Sequence, residues 1–439
     1  MGSLVYLNYL YFIILTTFGL LFAFGRSVVV KNPLHREQRI RFDGGEAFWI
    51  LTFSTGLLAF NVSGIIDLMA IRLFVLELLF LIALKISKME PIWSIPVFIY
   101  ILYIIWLVFG CTYTTSFNYG FRTTLKYLYP ILIILVASAI VRDNETAATA
   151  SLWSRRLALF AIIVFFVPKL SDVVFPNVFW YETAAAIHFI AICTFSLAAF
   201  YHGGKDKKDL FLSLLFMIPC LVWVFRTSIM GTALALMTFF LFRYKIKSVP
   251  IIFVIVIAFI ASIFFIPSVK EKMFNKSDKM DIESLQSGKI SKDDIDSNGR
   301  FAMWEWSLKR YYDNKEIIGS GTGNLQKVFY TTKHPFLPIR ICHNDYVQIL
   351  CDNGLIGLFL FGASFLALII HCFFIYQKEE YSIMLRICAI TAGSSAAGML
   401  LTMYTDNVVN YSMATLSMPC GFYGMTLGLL HKQQTSYAV

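Results

Sequence analysis

The chain has 439 residues, 58% hydrophobic and 15% charged, with 37 Lys+Arg against 27 Asp+Glu, and its mean hydropathy is +0.69. Soluble domains run near 45–50% apolar and about 25% charged, so a soluble multidomain enzyme, a disordered chain, a collagen-like repeat and a disulfide scaffold are excluded, and a polytopic membrane protein remains. The net charge of +10 does not point to nucleic acid, because membrane chains collect Lys and Arg in cytoplasmic loops.

A membrane span needs about 20 mostly apolar residues. Taken in order, runs of that kind lie near Leu4–Phe24, Ala47–Ile65, Met69–Ile86, Ile92–Tyr113, Thr123–Val141, Trp153–Val167 and Thr183–Phe200. They continue near Leu210–Phe225, Thr227–Phe242, Val249–Ile266, Leu355–Phe374, Met384–Met403 and Ser412–Leu430. The sequence thus predicts an all-α polytopic membrane protein with about 12–14 transmembrane helices, thirteen by this reading. The first run lacks a basic start and a small-residue cleavage site, so it reads as a span rather than a signal peptide. Eight cysteines, at Cys111, Cys193, Cys220, Cys342, Cys351, Cys372, Cys388 and Cys420, show no CxxC and no metal-ligand spacing. They read as small core residues.

Orientation follows from the basic residues of alternate loops. One set holds nineteen, among them Arg26, Arg39, Lys88, Arg142, Lys207, Lys247, Arg386 and Lys432; the opposite set holds five, Arg72, Arg122, Lys126, Lys169 and Arg226. The first set is therefore expected in the cytoplasm, with the N-terminus outside and the C-terminus inside.

Three regions follow: N-terminal transmembrane helices over 1–266, a polar periplasmic loop with short helices over 267–353, and C-terminal transmembrane helices over 354–439. The loop carries thirteen basic and twelve acidic residues. Its Lys270–Asp296 part is rich in Lys, Asp and Ser. Beyond it, Trp304, Trp306, Leu308, Tyr311 and Tyr312 predict an amphipathic helix lying in the membrane interface. Structureless loops of this length are usually functional.

The loop ends in His343-Asn344-Asp345-Tyr346, just before a span. A neutral imidazole there can take a proton from a hydroxyl, with Asn344, Asp345 and Tyr346 orienting it or a substrate; a helix-capping cluster is the competing reading. Asp406 and Asn407 fall at the last outer turn. Arg226 lies between two sixteen-residue apolar runs, each about 24 Å long against a hydrocarbon thickness of ~30 Å. It is a functional candidate at depth, or a side chain snorkelling to headgroups. Arg300 heads the Trp-rich helix, Arg122 and Lys126 form an i, i+4 pair, and Arg340 precedes the His343 cluster. Guanidinium groups grip diphosphate oxygens with two parallel bonds, so these outer cations suit a lipid diphosphate. The acidic Asp293, Asp294 and Asp296 read as a solvated loop rather than a metal site, and neither metal nor cofactor is expected. Gly319-Ser320-Gly321-Thr322-Gly323 lacks the ending of a P-loop and reads as turns. His188 and His371 read as packed.

The order Arg300-Phe301-Ala302-Met303-Trp304, then Gly319-Ser320-Gly321-Thr322-Gly323, then His343-Asn344 with spacing to Gly354 and Gly357 resembles the signature loop of the O-antigen ligase/polymerase superfamily. The resemblance covers about 298–361. Arg226-Thr227-Ser228 is similar to the membrane arginine upstream of that loop. The resemblance implies an integral glycosyltransferase of the C-type (GT-C) fold in the bacterial inner membrane, with its active site facing the periplasm. Donor and acceptor would be undecaprenyl-diphosphate-linked oligosaccharides, with a chain-length regulator as a candidate partner and no nucleic acid. His343 would activate the acceptor hydroxyl, Arg226 and Arg300 would hold the diphosphate, and transfer would invert the anomeric carbon. Lys126, Arg122 and Arg340 join this set on charge and sidedness alone.

Within the superfamily, His343-Asn344-Asp345-Tyr346 and Thr405-Asp406-Asn407 resemble Wzy-type O-antigen or exopolysaccharide polymerases more than ligases. A ligase that passes the glycan to lipid A–core is the alternative. A lipid-linked oligosaccharide transporter is more remote, since transporters bind near the midplane and this polar constellation sits at one face.

Overall fold

The computed structural model describes residues 24–35, 37–58, 66–86, 90–166, 182–222, 226–265, 299–331, 334–337 and 339–437. The expected span Leu4–Phe24 and the acidic Asp293, Asp294 and Asp296 lie outside these residues, apart from Phe24. Among the described residues the only strands form a small antiparallel hairpin in the basic stretch after that run, β1 (Val28–Lys31) against β2 (Arg39–Phe42).

Helices make up the rest. α1 (Gly44–Ser54) opens with a reciprocal cap, Asp43 Oδ1 receiving Glu46 N and Glu46 Oε2 receiving Asp43 N, each at 2.8 Å. Eleven residues rise only about 16 Å, so the expected span Ala47–Ile65 does not run as one helix. Ser54 and Thr55 turn their hydroxyls back to Ile50 O and Leu51 O, and a 3-10 turn follows over Thr55–Leu58. Such back-bonding competes with helix continuation.

α2 (Ile66–Ile86), α3 (Ile95–Gly110), α4 (Phe117–Ile140) and α5 (Asn144–Phe166) come next. After them run α6 (Glu182–His202), α7 (Lys207–Val222), α8 (Arg226–Tyr244) and α9 (Val249–Phe265). Of the described helices, four stretches are long and apolar enough to cross a membrane: Phe117–Ile140, Thr227–Ala261, Asp345–Gln377 and Ile383–Met403. A pair bent by 55°, Val409–Thr415 with Ser417–Ser436, makes a fifth. The turn Lys245–Ser248 divides Thr227–Ala261 between α8 and α9. Several expected runs instead form shorter apolar helices, such as Ile95–Gly110 and Ala186–His202. The fold is that of an all-α polytopic membrane protein.

The long polar segment supplies α10 (Arg300–Tyr311) and α11 (Asn324–Thr331). The chain closes with α12 (Asp345–Gln377), α13 (Ile383–Met403), α14 (Ser412–Thr415) and α15 (Ser417–Tyr437). α12 is two helices joined across a kink: Gly354, with φ +65°, interrupts it.

α13 is the central post. α6, α8, α12 and α15 pack around it, while α3 packs on α12 and α4 on α15. Its middle reads Ala389, Ala392, Gly393, Ser394, Ser395, Ala396, Ala397 and Gly398, all buried. Small residues let membrane helices approach backbone to backbone. At the α8 crossing a Cβ on Gly398 would stand 2.6 Å from Gly231 O.

Candidate functional site

The site forms where the polar segment folds onto the ends of α12 and α13. A second small core of Met303, Trp304, Leu325, Phe329, Cys342, Val347 and Cys351 holds α10, α11 and the start of α12 together. The Trp-rich helix therefore exists as expected, and it buries Trp304 in protein. Trp304 Nε1 donates to Cys342 O at 2.8 Å, which fixes the residue before His343. The Cys342 thiol is buried and its pKa is pushed up, chiefly by burial and then by the charges of Asp345 and Asp352. It is a packed residue rather than a nucleophile.

His343 has a left-handed backbone, φ +52°. Its N–H donates to Asn407 Oδ1, and its Nδ1 lies 3.1 Å from Asp406 Oδ1. An ionised carboxylate can only accept, so the proton of the neutral ring sits on Nδ1 and the Nε2 lone pair is left for a donor. Among the described residues no hydrogen bond engages Nε2. The imidazole is about a quarter exposed, at 26%.

The neighbours of His343 hold this geometry. Asn344 caps α12 by receiving Val347 N at 3.0 Å. Asp345 is 1% exposed and receives Asn407 Nδ2 and Val409 N, each at 3.2 Å. Asn407 Nδ2 also donates to Gln348 Oε1 at 3.1 Å. Tyr346 OH donates to Leu400 O at 2.6 Å and so ties α12 to α13. The capping reading of this cluster is found: Asn344 caps α12, and Asp345 and Asn407 hold the backbone beside His343.

Two of the expected cations bond to the segment that carries Asp406 and Asn407. Arg300 Nη1 donates to Thr405 O, one residue before Asp406. Lys126 Nζ donates to Asn410 Oδ1 at 2.6 Å, three residues beyond Asn407. Arg122, one turn earlier on α4, has its guanidinium carbon 5.7 Å from the Tyr119 ring centre. Arg340 is exposed and lines a small recess with Gln326, Gln348 and Asn410. Arg226 opens α8. That helix runs antiparallel to α13, with Gly231 against Thr402 and Phe242 against Gly393, so its Arg226 end is level with the Asp406 turn.

The glycine-rich segment is a clasp. Asp352, 1% exposed, receives Gly323 N at 3.0 Å and Leu325 N at 2.8 Å. Thr322 Oγ1 donates to Leu107 O and receives Asn353 Nδ2, each at 2.8 Å. These turns lash the loop to α3 and α12. Asp352, Gln348 and Asn410 are polar residues the sequence reading missed. Asp345, Gln348 and Asp352 are spaced i, i+3, i+7, the signature of one helix face, and that pattern was available.

Elsewhere the expected packing is found. His188 is buried with Nε2 3.3 Å from Ser154 Oγ, and His371 Nδ1 meets Tyr423 OH at 2.8 Å. Six cysteines are buried and Cys111 is partly so, among the described side chains. The described residues contain no group of three or more His, Cys, Asp or Glu able to hold a metal ion.

No curated protein significantly matches the chain. Residues 210–362 match the family model described as O-antigen ligase. That segment begins in α7, crosses the Gly354 break and contains Arg226, Arg300, Arg340 and the whole His343–Tyr346 cluster. Over these residues the chain is similar to the O-antigen ligase/polymerase superfamily.

Proposed function

We propose that the chain is a GT-C-type membrane glycosyltransferase that polymerises undecaprenyl-diphosphate-linked oligosaccharide repeat units at the periplasmic face of the bacterial inner membrane. The observation that carries this reading is the His343–Asp406 pair, with Nδ1 engaged and Nε2 open, on a segment to which Arg300 and Lys126 both donate. The superfamily's association with glycosyl transfer on lipid-linked glycans supports it.

In the proposed step, His343 Nε2 takes the proton of an acceptor sugar hydroxyl. The oxygen attacks the anomeric carbon of the donor in line, and a new glycosidic C–O bond forms. The bond from that carbon to the diphosphate breaks, its electron pair leaves with undecaprenyl diphosphate, and the configuration inverts. Asp406 holds the imidazole in the right tautomer and stabilises the imidazolium that results. Arg226, Arg300, Lys126, Arg122 and Arg340 supply positive charge where negative charge develops on the leaving group. Asn344, Asp345 and Asn407 keep the base in place. A chain-length regulator remains a candidate partner on this reading.

The alternative, transfer to lipid A–core by a ligase, uses the same base and the same cations. The surface glycan of a strain lacking this chain separates them. Core bearing a single repeat unit is expected for a lost polymerase. Bare core with accumulated lipid-linked polymer would make it a ligase.

A further inference from the structure

The end of the bundle remote from His343 carries a cleft that the proposed reaction does not use. Lys126, beside the His343 frame, and Arg142, just past the end of α4, are sixteen positions apart, about 24 Å along a helix. The cleft holds about 630 Å³ and lies between the Glu90–Trp93 lead into α3, Arg142, and His431, Lys432 and Thr435 on the last turns of α15. An adjoining recess of about 220 Å³ shares Arg142 and Lys432 and adds Asp143 and Glu145.

The cations here are set differently from ordinary surface charges. Arg142 Nε donates to Ala139 O at 3.2 Å and Nη2 to Glu90 O at 2.8 Å, which fixes the guanidinium and leaves Nη1 uncommitted among the described residues. Lys432 and His431 are exposed and form no ion pair among those residues. Asp143 is already engaged as the cap of α5, receiving Thr146 N at 2.6 Å and Thr146 Oγ1 at 2.9 Å. The larger cleft therefore sets two cations and an imidazole against the single carboxylate of Glu90.

The mouth of the cleft opens onto apolar surface. Trp93 is 61% exposed, and Ile95, Phe98, Leu102, Ile105 and Phe109 follow it as exposed residues. Their spacing of 3, 4, 3 and 4 draws one stripe down α3. A fixed anion-binding head and a long apolar track, joined by an indole of the kind that prefers the headgroup level, match an amphiphile. Basic pockets between transmembrane helices recognise lipid headgroups in this way.

We infer that this cleft binds a membrane phospholipid of the phosphatidylglycerol class, its phosphate between Arg142 and Lys432 and an acyl chain along the α3 stripe. The site is independent of the reaction at His343. The test uses the full-length protein in detergent, titrated with dioleoyl phosphatidylglycerol, with bound lipid counted by native mass spectrometry. At about 1 kcal/mol per basic residue, Lys432→Gln weakens binding about fivefold, and Lys432→Gln with Arg142→Gln about twenty-five-fold. Phe98→Ser weakens it as well, whereas Lys205→Gln, an exposed cation outside the cleft, leaves it unchanged. Lys432→Gln alone decides the matter if the Arg142 variant fails to fold. Unchanged binding in Lys432→Gln overturns the site. Displacement of the lipid by inorganic phosphate at equal concentration makes it a free-anion site and overturns the lipid assignment.

Discussion

His343 stands in the left-handed backbone region at φ +52°, a conformation in which His, Asn and Asp are enriched among non-glycine residues. Asn407 pins it there through the His343 N–H while its amide group serves Asp345 and Gln348. Asn407→Asp puts a second carboxylate beside Asp345, and two carboxylates in one site cannot both ionise. Thermal unfolding in detergent should show a loss of about 1–3 kcal/mol, together with lower turnover; unaltered melting would remove Asn407 from the frame. Asp406→Asn retains a polar contact but not the charge that selects the Nδ1 tautomer. Turnover is expected to fall by a factor on the order of 10²–10⁴ with little change in donor KM, and a KM effect alone would make Asp406 a binding residue. At this scale much was legible in the sequence, because a His-Asn-Asp cluster before a span and a Thr-Asp-Asn turn are visible as residue types. Their pairing was not, since sixty-three positions separate His343 from Asp406 and one sequence holds no record of that contact.

At the scale of elements, hydropathy located most helices but not where they break. Gly354 divides α12, with a φ of +65° and its Cα side pressed on the Ile317 backbone. Gly354→Ala meets both a conformational penalty and a steric one, and should destabilise by more than the roughly 0.4–1 kcal/mol by which a compatible Gly→Ala exchange stabilises. A melting temperature equal to that of the parent would refute the close approach. Gly398→Val at the α8–α13 crossing adds volume where the backbones touch, and overpacking of this kind costs about 1–3 kcal/mol. α10 shows what composition leaves open. Its aromatics satisfy the composition of an interfacial helix, yet Trp304 finds a carbonyl partner in Cys342 and an edge-on neighbour in Tyr404. Periodicity identifies the apolar face of a helix and says nothing about what covers it.

Across the whole molecule the two ends are unlike, with the proposed reaction site at His343 and a basic cleft at Arg142 and Lys432. In spheroplasts, with Cys111 replaced by Ser, Glu316→Cys should react with an impermeant thiol reagent, and Lys247→Cys only after permeabilisation. The reverse pattern would put the lipid-linked donor on the wrong side. Chelation offers a second check, because the proposed leaving-group stabilisation is cationic side chains; transfer should survive EDTA, and loss restored by Mg²⁺ or Mn²⁺ would assign part of that role to a metal. The most direct measurement is transfer by the purified protein, supplied with undecaprenyl-diphosphate-linked repeat units in detergent. Wild type should extend them, and His343→Gln, folded as judged by melting, should not. Extension by His343→Gln at the wild-type rate would contradict the account at its centre.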